Sequence, residues 1–451
     1  MQTDLAPEFR NTPEGAEAEA ILRKCVHCGF CTATCPTYQL LGDELDGPRG
    51  RIYLIKQVLE GGPVTRSTQI HLDRCLTCRN CETTCPSGVQ YGNLVEIGRR
   101  IVDERVERPA AEKSARWMLK EGLTSPLFAP AMKAGQWLRP FLPGVLRNKV
   151  PGASGDRRAQ AWPTREHARK VLMLAGCVQP SMMPNVNAAT ARVLDAAGIQ
   201  TLVAEGAGCC GAIRLHLDDH AGALADMRRN IDAWLPYVEG TARGGPVEAI
   251  VMNASGCGVT VKEYAHALAG DPAYAAKARR IAELTVDLAE LLPGLVPMLR
   301  ERLGAEAETP MTETAVPAAL ASAAAPGSAT PPEADAQQRR MRPRIVFHPP
   351  CTLQHGQQLR GLVETNLRAL GFDVQIARNE SHLCCGSAGT YSVLQPELAY
   401  RLRDRKLANL AEVEPHTIVS ANIGCIQHLQ TGTTTPVKHW IEVLDAALTP
   451  V

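Results

Sequence analysis

The fold of the first part of the chain is decided by two stretches, Cys25-Val26-His27-Cys28-Gly29-Phe30-Cys31-Thr32-Ala33-Thr34-Cys35-Pro36 and Cys75-Leu76-Thr77-Cys78-Arg79-Asn80-Cys81-Glu82-Thr83-Thr84-Cys85-Pro86. Both read Cys-x2-Cys-x2-Cys-x3-Cys-Pro, and the second repeats the first at an offset of 50 (25 to 75, 35 to 85). In this spacing three thiolates bind one cubane cluster, and the fourth, before proline, completes the neighbouring cluster. The motif therefore predicts two 4Fe–4S clusters.

The spacing also predicts which thiolates share a cluster, because the chain carries each Cys-Pro away from its own run. The predicted ligands are Cys25, Cys28, Cys31 and Cys85 for cluster 1, and Cys75, Cys78, Cys81 and Cys35 for cluster 2. Zinc sites use paired Cys-x2-Cys knuckles and need neither the third cysteine nor the Cys-Pro. Eight structural cysteines would rarely align in this way by chance. Both alternatives are therefore disfavoured.

A helix is predicted between the two runs. Pro48 suits the first turn of a helix, and Gly61-Gly62-Pro63 suits its end. Ile52, Ile55 and Leu59 would form its buried face. This spacer makes the two-cluster domain larger than a compact bacterial ferredoxin.

The other eight cysteines form a second repeat, with an offset near 175 (177 to 351, 209 to 384). They are Cys177, Cys209, Cys210 and Cys257, and Cys351, Cys384, Cys385 and Cys425. Short apolar strands precede the cysteines and amphipathic helices separate the strands, which indicates a parallel sheet in each half. The predicted fold class is α+β multidomain: a helical two-cluster ferredoxin domain followed by two duplicated α/β Cys-Cys-Gly domains.

The Cys-Cys-Gly sequences point to a site in each half. Adjacent side chains on a strand face opposite ways, but on a turn permitted by Gly211 or Gly386 they can converge. Each set of four could then bind a metal or cluster, or perform thiol redox chemistry. Buried structural cysteines are the alternative. His348 and His355 are candidate extra ligands, or else satisfied loop residues.

Five segments are predicted. They are a helical two-cluster domain (1–100), a helical connector (101–165), a first Cys-Cys-Gly domain (166–304), an Ala/Pro-rich linker (305–342) and a second Cys-Cys-Gly domain (343–451). The connector carries Trp117, Phe128, Trp137 and Phe141. These aromatics are expected to pack against the two-cluster domain, with partner docking as the alternative.

Composition excludes several functions. With 48 basic and 47 acidic residues the net charge is +1, so no footprint for nucleic acid or anionic lipid is expected. No apolar run long enough to span a membrane and no signal peptide is expected either. A cytoplasmic location follows, with or without peripheral attachment to the cytoplasmic face of the inner membrane, and there sixteen cysteines favour metal binding over disulfides. No Gly-rich dinucleotide fingerprint is present, so no hydride carrier of its own is expected.

Taken together, these motifs resemble a known family. The two cluster motifs, the spacer opening Gly47-Pro48-Arg49-Gly50-Arg51, and the endings Asn253-Ala254-Ser255-Gly256-Cys257 and Ala421-Asn422-Ile423-Gly424-Cys425 are similar, over essentially the whole chain, to the iron–sulfur subunit of bacterial glycolate oxidase. Related modules often end in Cys-x2-Cys, but Ala254 and Asn422 stand at the first of those positions. That departure argues against the noncubane cluster of heterodisulfide reductases in either half.

The resemblance implies a multi-subunit enzyme that oxidises glycolate to glyoxylate. Flavin-containing partner subunits would take the electrons, and this chain, with no catalytic residue of its own, would pass them to a quinone-type acceptor at the membrane. The alternatives are the electron-transfer subunit of a glycerol-3-phosphate or D-lactate dehydrogenase, and a heterodisulfide reductase-like thiol redox enzyme. An iron or redox sensor is disfavoured, because no nucleic-acid-binding motif is present.

Overall fold

A computed structural model describes residues 1–141, 150, 152, 161–304 and 343–448. The predicted linker 305–342 lies outside the described residues, as do 142–149, 151, 153–160 and 449–451.

Helices make up the first hundred residues. In chain order they are α1 (Pro13–Lys24), α2 (Phe30–Ala33), α3 (Pro36–Leu41), a 3₁₀ turn (Glu44–Asp46), α4 (Pro48–Leu59), α5 (Arg66–Asp73), α6 (Asn80–Thr84) and α7 (Tyr91–Arg105). The predicted spacer helix is α4, with proline in its first turn. It buries Ile52, Ile55 and Leu59 as expected, in one core with α1 and α7.

The two short helices α2 and α6 occupy equivalent places in the repeat. Each lies inside a cysteine run and begins after a left-handed residue, Gly29 (φ 84°) or Arg79 (φ 58°). Each run then leaves the helical conformation before its Cys-Pro, since Cys35 and Cys85 are both extended. The two helices pack against each other, so the runs meet face to face.

The connector contributes α8 (Ala110–Thr124), α9 (Phe128–Leu138) and a 3₁₀ turn (Arg139–Phe141). The expectation that its aromatics pack against the two-cluster domain is wrong for Trp117, Trp137 and Phe141, which are 61%, 80% and 84% exposed. The helices instead reach the first Cys-Cys-Gly domain through polar contacts. Arg116 pairs with Asp218, and Gln136 donates to the Ser181 carbonyl at 3.3 Å.

The first Cys-Cys-Gly domain is built on a parallel sheet of order β2-β1-β3-β4. Its strands are β1 (Arg169–Met173), β2 (Ile199–Leu202), β3 (Ala249–Met252) and β4 (Thr285–Asp287). Its helices are Gln179–Met182, Pro184–Ala196, Ala212–Leu215, His220–Val238, Ser255–Lys262, Tyr264–Ala267, Ala275–Leu284 and Leu288–Arg302. The central strand β3 is buried throughout, and β1 is buried from Val171 to Met173. Burial on both faces of the sheet explains the continuous apolar sequence of these positions.

The second domain repeats this plan with the order β6-β5-β7-β8, again all parallel. Its strands are β5 (Ile345–Phe347), β6 (Val374–Ile376), β7 (Thr417–Ser420) and β8 (Val437–His439). Its helices are a π-helical turn Thr352–Gly356, and Leu362–Ala369, Tyr391–Leu394, Pro396–Ala411, Ile423–Gln430 and Trp440–Leu448. The predicted fold class is confirmed.

The two Cys-Cys-Gly domains share one apolar core. Val171 and Val251 of the first sheet belong to the same buried cluster as Ile345, Val419 and Trp440 of the second domain. A smaller apolar cluster joins the two-cluster domain to the second half; it contains Leu76, Cys78, Cys351, Cys384 and Tyr391. The cysteine-bearing loops of the two-cluster domain and of the second half are thereby packed against each other.

Candidate iron–sulfur and metal sites

The predicted cluster 1 thiols are brought together. Three other thiols lie close enough to interact electrostatically with that of Cys31: those of Cys25, Cys28 and Cys85. Burial, then the charge of Cys25, raises the pKa of Cys31 to about 11. Four crowded thiols resist ionisation unless a cation compensates for their charge, and ligated iron supplies that compensation.

The predicted cluster 2 thiols form a second, separate set. Three thiols interact with that of Cys81: those of Cys78, Cys75 and Cys35. Burial raises the pKa of Cys81 well above its usual range, and the neighbouring thiols raise it further. Each set therefore contains three cysteines of one run and the Cys-Pro cysteine of the other. An all-sulfur set of four fits a 4Fe–4S cluster.

The two sets differ in their exposure. Cys28 of the first set is exposed, and its neighbours Val26 and Phe30 are 68% and 61% exposed. In the second set Cys35, Cys75 and Cys81 are all buried. A cluster held by the first set would lie near the surface, whereas one held by the second would lie inside the molecule.

A buried arginine adjoins the second set, and sequence reasoning missed it. Arg51 is 1% exposed and donates to the Thr37 hydroxyl at 3.1 Å and to the Asp46 carboxylate at 3.4 Å. The Thr37 hydroxyl lies 3.3 Å from the Cys35 sulfur. Asp46 is fully buried and also accepts from Arg74 at 2.9 Å. The sequence does carry a sign of this burial. Arg51 precedes Ile55 by four residues in the helix, so both side chains lie on the same buried face.

In the first Cys-Cys-Gly domain the four predicted thiols form one connected group. Cys177 follows β1, Cys209-Cys210 follow β2, and Cys257 follows β3, so all lie at the carboxyl edge of the sheet. Hydrogen bonds from the Cys177 and Cys210 thiols lower the pKa of Cys209. A further hydrogen bond joins Cys210 to Cys257.

The second domain repeats the chain of thiols, with one addition. Cys351 is hydrogen-bonded to Cys384, Cys384 to Cys385, and Cys385 to Cys425. Although the hydrogen bond with Cys351 lowers it, the one with Cys385 and burial together raise the pKa of Cys384 to about 12. His348 joins the group, since its ring lies within 4.8 Å of the Cys385 and Cys425 sulfurs.

The second set also touches the two-cluster domain. The Cys351 thiol is hydrogen-bonded to Cys78, a predicted ligand of cluster 2. Nearby, the Tyr391 hydroxyl donates to the Arg74 carbonyl at 3.1 Å, just before Cys75. The sequence did not predict this contact, because no local pattern relates residues 273 positions apart (351 minus 78).

The two candidate histidines differ. His355 is satisfied: its Nδ1 lies 2.9 Å from the Thr83 hydroxyl, and its Nε2 lies 3.1 Å from the His382 carbonyl. The interpretation of His355 as a satisfied loop residue is therefore favoured. Neither ring nitrogen of His348 has a hydrogen-bond partner among the described residues. Burial, and then the positive charge of Lys406, lowers the pKa of His348 well below its usual value.

The two positions without the expected cysteine lie at the contact between the halves. Ala254 is buried, and the next amide, that of Ser255, donates to the Ala421 carbonyl at 3.0 Å. The Asn422 amide group lies 3.9 Å from the Cys425 sulfur. A Cβ at Gly256 of the first domain would lie 3.5 Å from the Asn422 side-chain oxygen, so Asn422 also adjoins the other half.

Comparison with known proteins agrees with this architecture. The 4Fe-4S dicluster domain family matches residues 21–89, and the Cysteine-rich domain family matches residues 171–262 and 345–430. Among the described helices, none combines the length and hydropathy needed to cross a membrane.

Two relatives match this chain over nine-tenths or more of its length. The chain is 51% identical to the glycolate oxidase iron-sulfur subunit of Escherichia coli (strain K12) over 449 residues, covering 99% of each protein. It is 29% identical to the probable glycolate oxidase iron-sulfur subunit of Bacillus subtilis (strain 168), covering 92% of this chain and 89% of that one. Lactate utilization protein A of Geobacillus thermodenitrificans (strain NG80-2) is 25% identical over 285 residues, covering 61% of this chain and 98% of that one. The chain belongs to the glycolate oxidase iron-sulfur subunit family.

Proposed function

We propose that this chain is the electron-transfer subunit of a glycolate-oxidising complex. The observation that carries the proposal is the crossed grouping of thiols, Cys31 with Cys85 and Cys81 with Cys35, in a chain with a full-length glycolate oxidase relative. Two 4Fe–4S clusters, once bound, would each accept and release one electron. The chain itself would hold the eight thiolates, fix their spacing and keep water away from cluster 2, whose predicted ligands Cys35, Cys75 and Cys81 are buried.

The partners follow from the chemistry that this chain lacks. Oxidation of a 2-hydroxy acid releases two electrons, and flavin-containing partner subunits would receive them from glycolate. Cys28, a predicted ligand of cluster 1, is exposed, so a partner subunit could approach cluster 1 closely at this surface. The acceptor would be a quinone or another membrane carrier, with the complex on the cytoplasmic side.

The Cys-Cys-Gly domains extend the proposal. Each has four linked thiols at the carboxyl edge of a parallel sheet, a place where open α/β folds hold ligands. We propose them as additional metal-binding positions, within the domain limits 166–304 and 343–451. The hydrogen bond between Cys351 and Cys78 supports a location of the second metal-binding position beside cluster 2.

Anaerobic co-purification of the tagged chain with its partners tests the proposal. We expect flavin to co-purify, about eight cluster irons per chain, and glycolate-dependent dye reduction. Glycerol-3-phosphate and D-lactate serve as matched controls. A complex that reduces dye only with one of those two would contradict the substrate assignment. Activity of the isolated chain on disulfides, abolished by Cys209→Ser or Cys384→Ser, would favour the thiol redox alternative.

A further inference from the structure

His348 is an unusual buried histidine. It is fully buried, yet neither ring nitrogen has a hydrogen-bond partner among the described residues. Burial of a polar group without a partner destabilises the fold, because the group loses its hydrogen bonds to water. The buried His439 of the same domain shows the ordinary arrangement: its Nε2 lies 2.8 Å from the Asn253 carbonyl, and its Nδ1 accepts from the Ile441 amide at 3.2 Å. The His348 imidazole therefore lacks the bonds that normally accompany burial.

A pair of thiols lies beside this imidazole. A ring nitrogen of His348 and the sulfurs of Cys385 and Cys425 all lie within 4.8 Å of one another, and all three residues are buried. Bond lengths of about 2.0 Å to nitrogen and about 2.3 Å to sulfur place tetrahedral ligands roughly 3.5–3.8 Å apart. Only a small contraction would bring these three atoms onto one ion.

A fourth donor and a balancing charge are also available. The Cys384 thiol is hydrogen-bonded to Cys385 and is the adjacent sulfur for a fourth position. Lys406 is 2% exposed, and its ammonium group donates to the Glu380 carbonyl at 2.6 Å. Its positive charge also acts on the Cys384 and Cys385 thiols. A divalent ion with three thiolates carries one net negative charge, which a buried lysine offsets.

The first half lacks this arrangement. Leu174 follows β1 in the same way that His348 follows β5, and Leu174 is a buried apolar residue. The histidine is therefore not required to pack the fold at this position, because the duplicated domain fills it with leucine. Its presence in the second half needs a separate reason.

We propose that the second Cys-Cys-Gly domain binds a single thiophilic transition-metal ion, Zn²⁺ or Fe²⁺, through His348, Cys385 and Cys425, with Cys384 as the fourth ligand. Such ions bind well to imidazole and thiolate donors, whereas Mg²⁺ and Ca²⁺ prefer oxygen donors. His348 supplies the donor that the set would otherwise lack, since Asn422 stands where related modules carry a cysteine. This proposal narrows the one made above for the Cys-Cys-Gly domains and is independent of the substrate of the complex.

Metal analysis of the anaerobically purified complex tests it. We expect the wild type to contain at least one ion of zinc or iron per chain in excess of the iron matched by acid-labile sulfide. His348→Leu, which copies Leu174, should lower this excess by one ion and leave cluster iron, sulfide and the cluster EPR signals unchanged. Cys425→Ser should lose the same ion. X-ray absorption at the metal edge should show sulfur and nitrogen neighbours, and the nitrogen should disappear in His348→Leu.

The control is His439→Leu, which removes a buried, hydrogen-bonded histidine from the same domain and should keep the ion. Stability gives a second readout. If His348 were only an unpaired core residue, leucine would leave the thermal midpoint unchanged or raise it; loss of a bound ion should lower it. Three results would each overturn the proposal. The wild type could contain no ion beyond its cluster iron, His348→Leu could retain the extra ion, or the iron beyond the two clusters could be matched by acid-labile sulfide. Loss of the cluster signals in the wild type would instead contradict the proposed function.

Discussion

The hydroxyl of Thr34 lies 3.2 Å from that of Thr84, its equivalent 50 residues later. The two residues directly precede Cys35 and Cys85, so their contact marks the point where the two cysteine runs cross. Asn80 reinforces the crossing by donating to the Thr34 carbonyl at 3.0 Å. This junction directs each Cys-Pro cysteine toward the three thiols of the opposite run.

The crossing predicts which cluster each substitution removes. Cys85→Ser should damage the cluster held by Cys25, Cys28 and Cys31, and chain iron should fall by about half. EPR of the reduced protein, with iron counts, measures this. Cys35→Ser is the matched variant and should remove the other signal. Loss of the same signal in both variants would contradict the crossed assignment.

Arg51 is predicted to raise the reduction potential of cluster 2 (the inner cluster), because a buried cation stabilises the more negative reduced state of the cluster. Arg51→Met should lower that potential by on the order of 60 mV, the equivalent of about 1.4 kcal/mol for one electron. It should also destabilise the fold, since Asp46 loses a buried partner, but by less than the cost of an unpaired buried charge, about 3–5 kcal/mol, because Arg74 still pairs with Asp46. An EPR-monitored redox titration gives the potential.

Arg49→Met is the matched control for that measurement. Arg49 is partly exposed and pairs with Glu44 at 2.6 Å, so the inner potential should barely change. Arg51→Lys keeps the positive charge, so the reduction potential of the inner cluster should stay close to its wild-type value. Equal shifts in Arg49→Met and Arg51→Met would argue against a specific role for Arg51.

Gly386 is predicted to be the less replaceable of the two Cys-Cys-Gly glycines. Its φ is +88°, and a Cβ would lie 2.5 Å from the Ala399 carbonyl oxygen. At Gly211 φ is +95°, but the equivalent approach to the Ala223 carbonyl is 3.2 Å. Gly211→Ala should cost about 1–2 kcal/mol, and Gly386→Ala more. Urea unfolding compares the two; an equal cost would show that the clash relaxes freely.

Asp287 is predicted to make stability pH-dependent. Burial raises the pKa of Asp287 to about 6, against 3.8 for the unfolded residue. Between these values the native state binds more protons, so this carboxyl lowers stability as pH rises. Asp287→Asn should reduce the loss of stability between about pH 4 and pH 6. Asp271→Asn is the control, because the hydrogen bond with Arg228 lowers the pKa of Asp271, away from this window. An unchanged profile in Asp287→Asn would refute the role of Asp287.

Local patterns were sufficient to predict the elements that carry the cysteines. Pro48 and Gly61 bound the spacer helix because proline favours a first turn and glycine an end. Strands β3 and β7 were recognised as short apolar runs before Cys257 and Cys425. The exposed connector aromatics were mispredicted, because composition cannot tell an aromatic packed in a core from one presented at the surface.

The sequence by itself determined the two cysteine runs and the duplicated Cys-Cys-Gly domains, and it predicts the crossed assignment of the thiolates, since all three follow from spacing along the chain. Only the tertiary structure decided that Cys351 meets Cys78 and that Arg51 is buried beside Cys35. It also placed His348 next to Cys385 and Cys425, with no hydrogen-bond partner for its ring among the described residues. The physical reason is that burial and contact between distant residues depend on how whole domains pack, and no local periodicity encodes that.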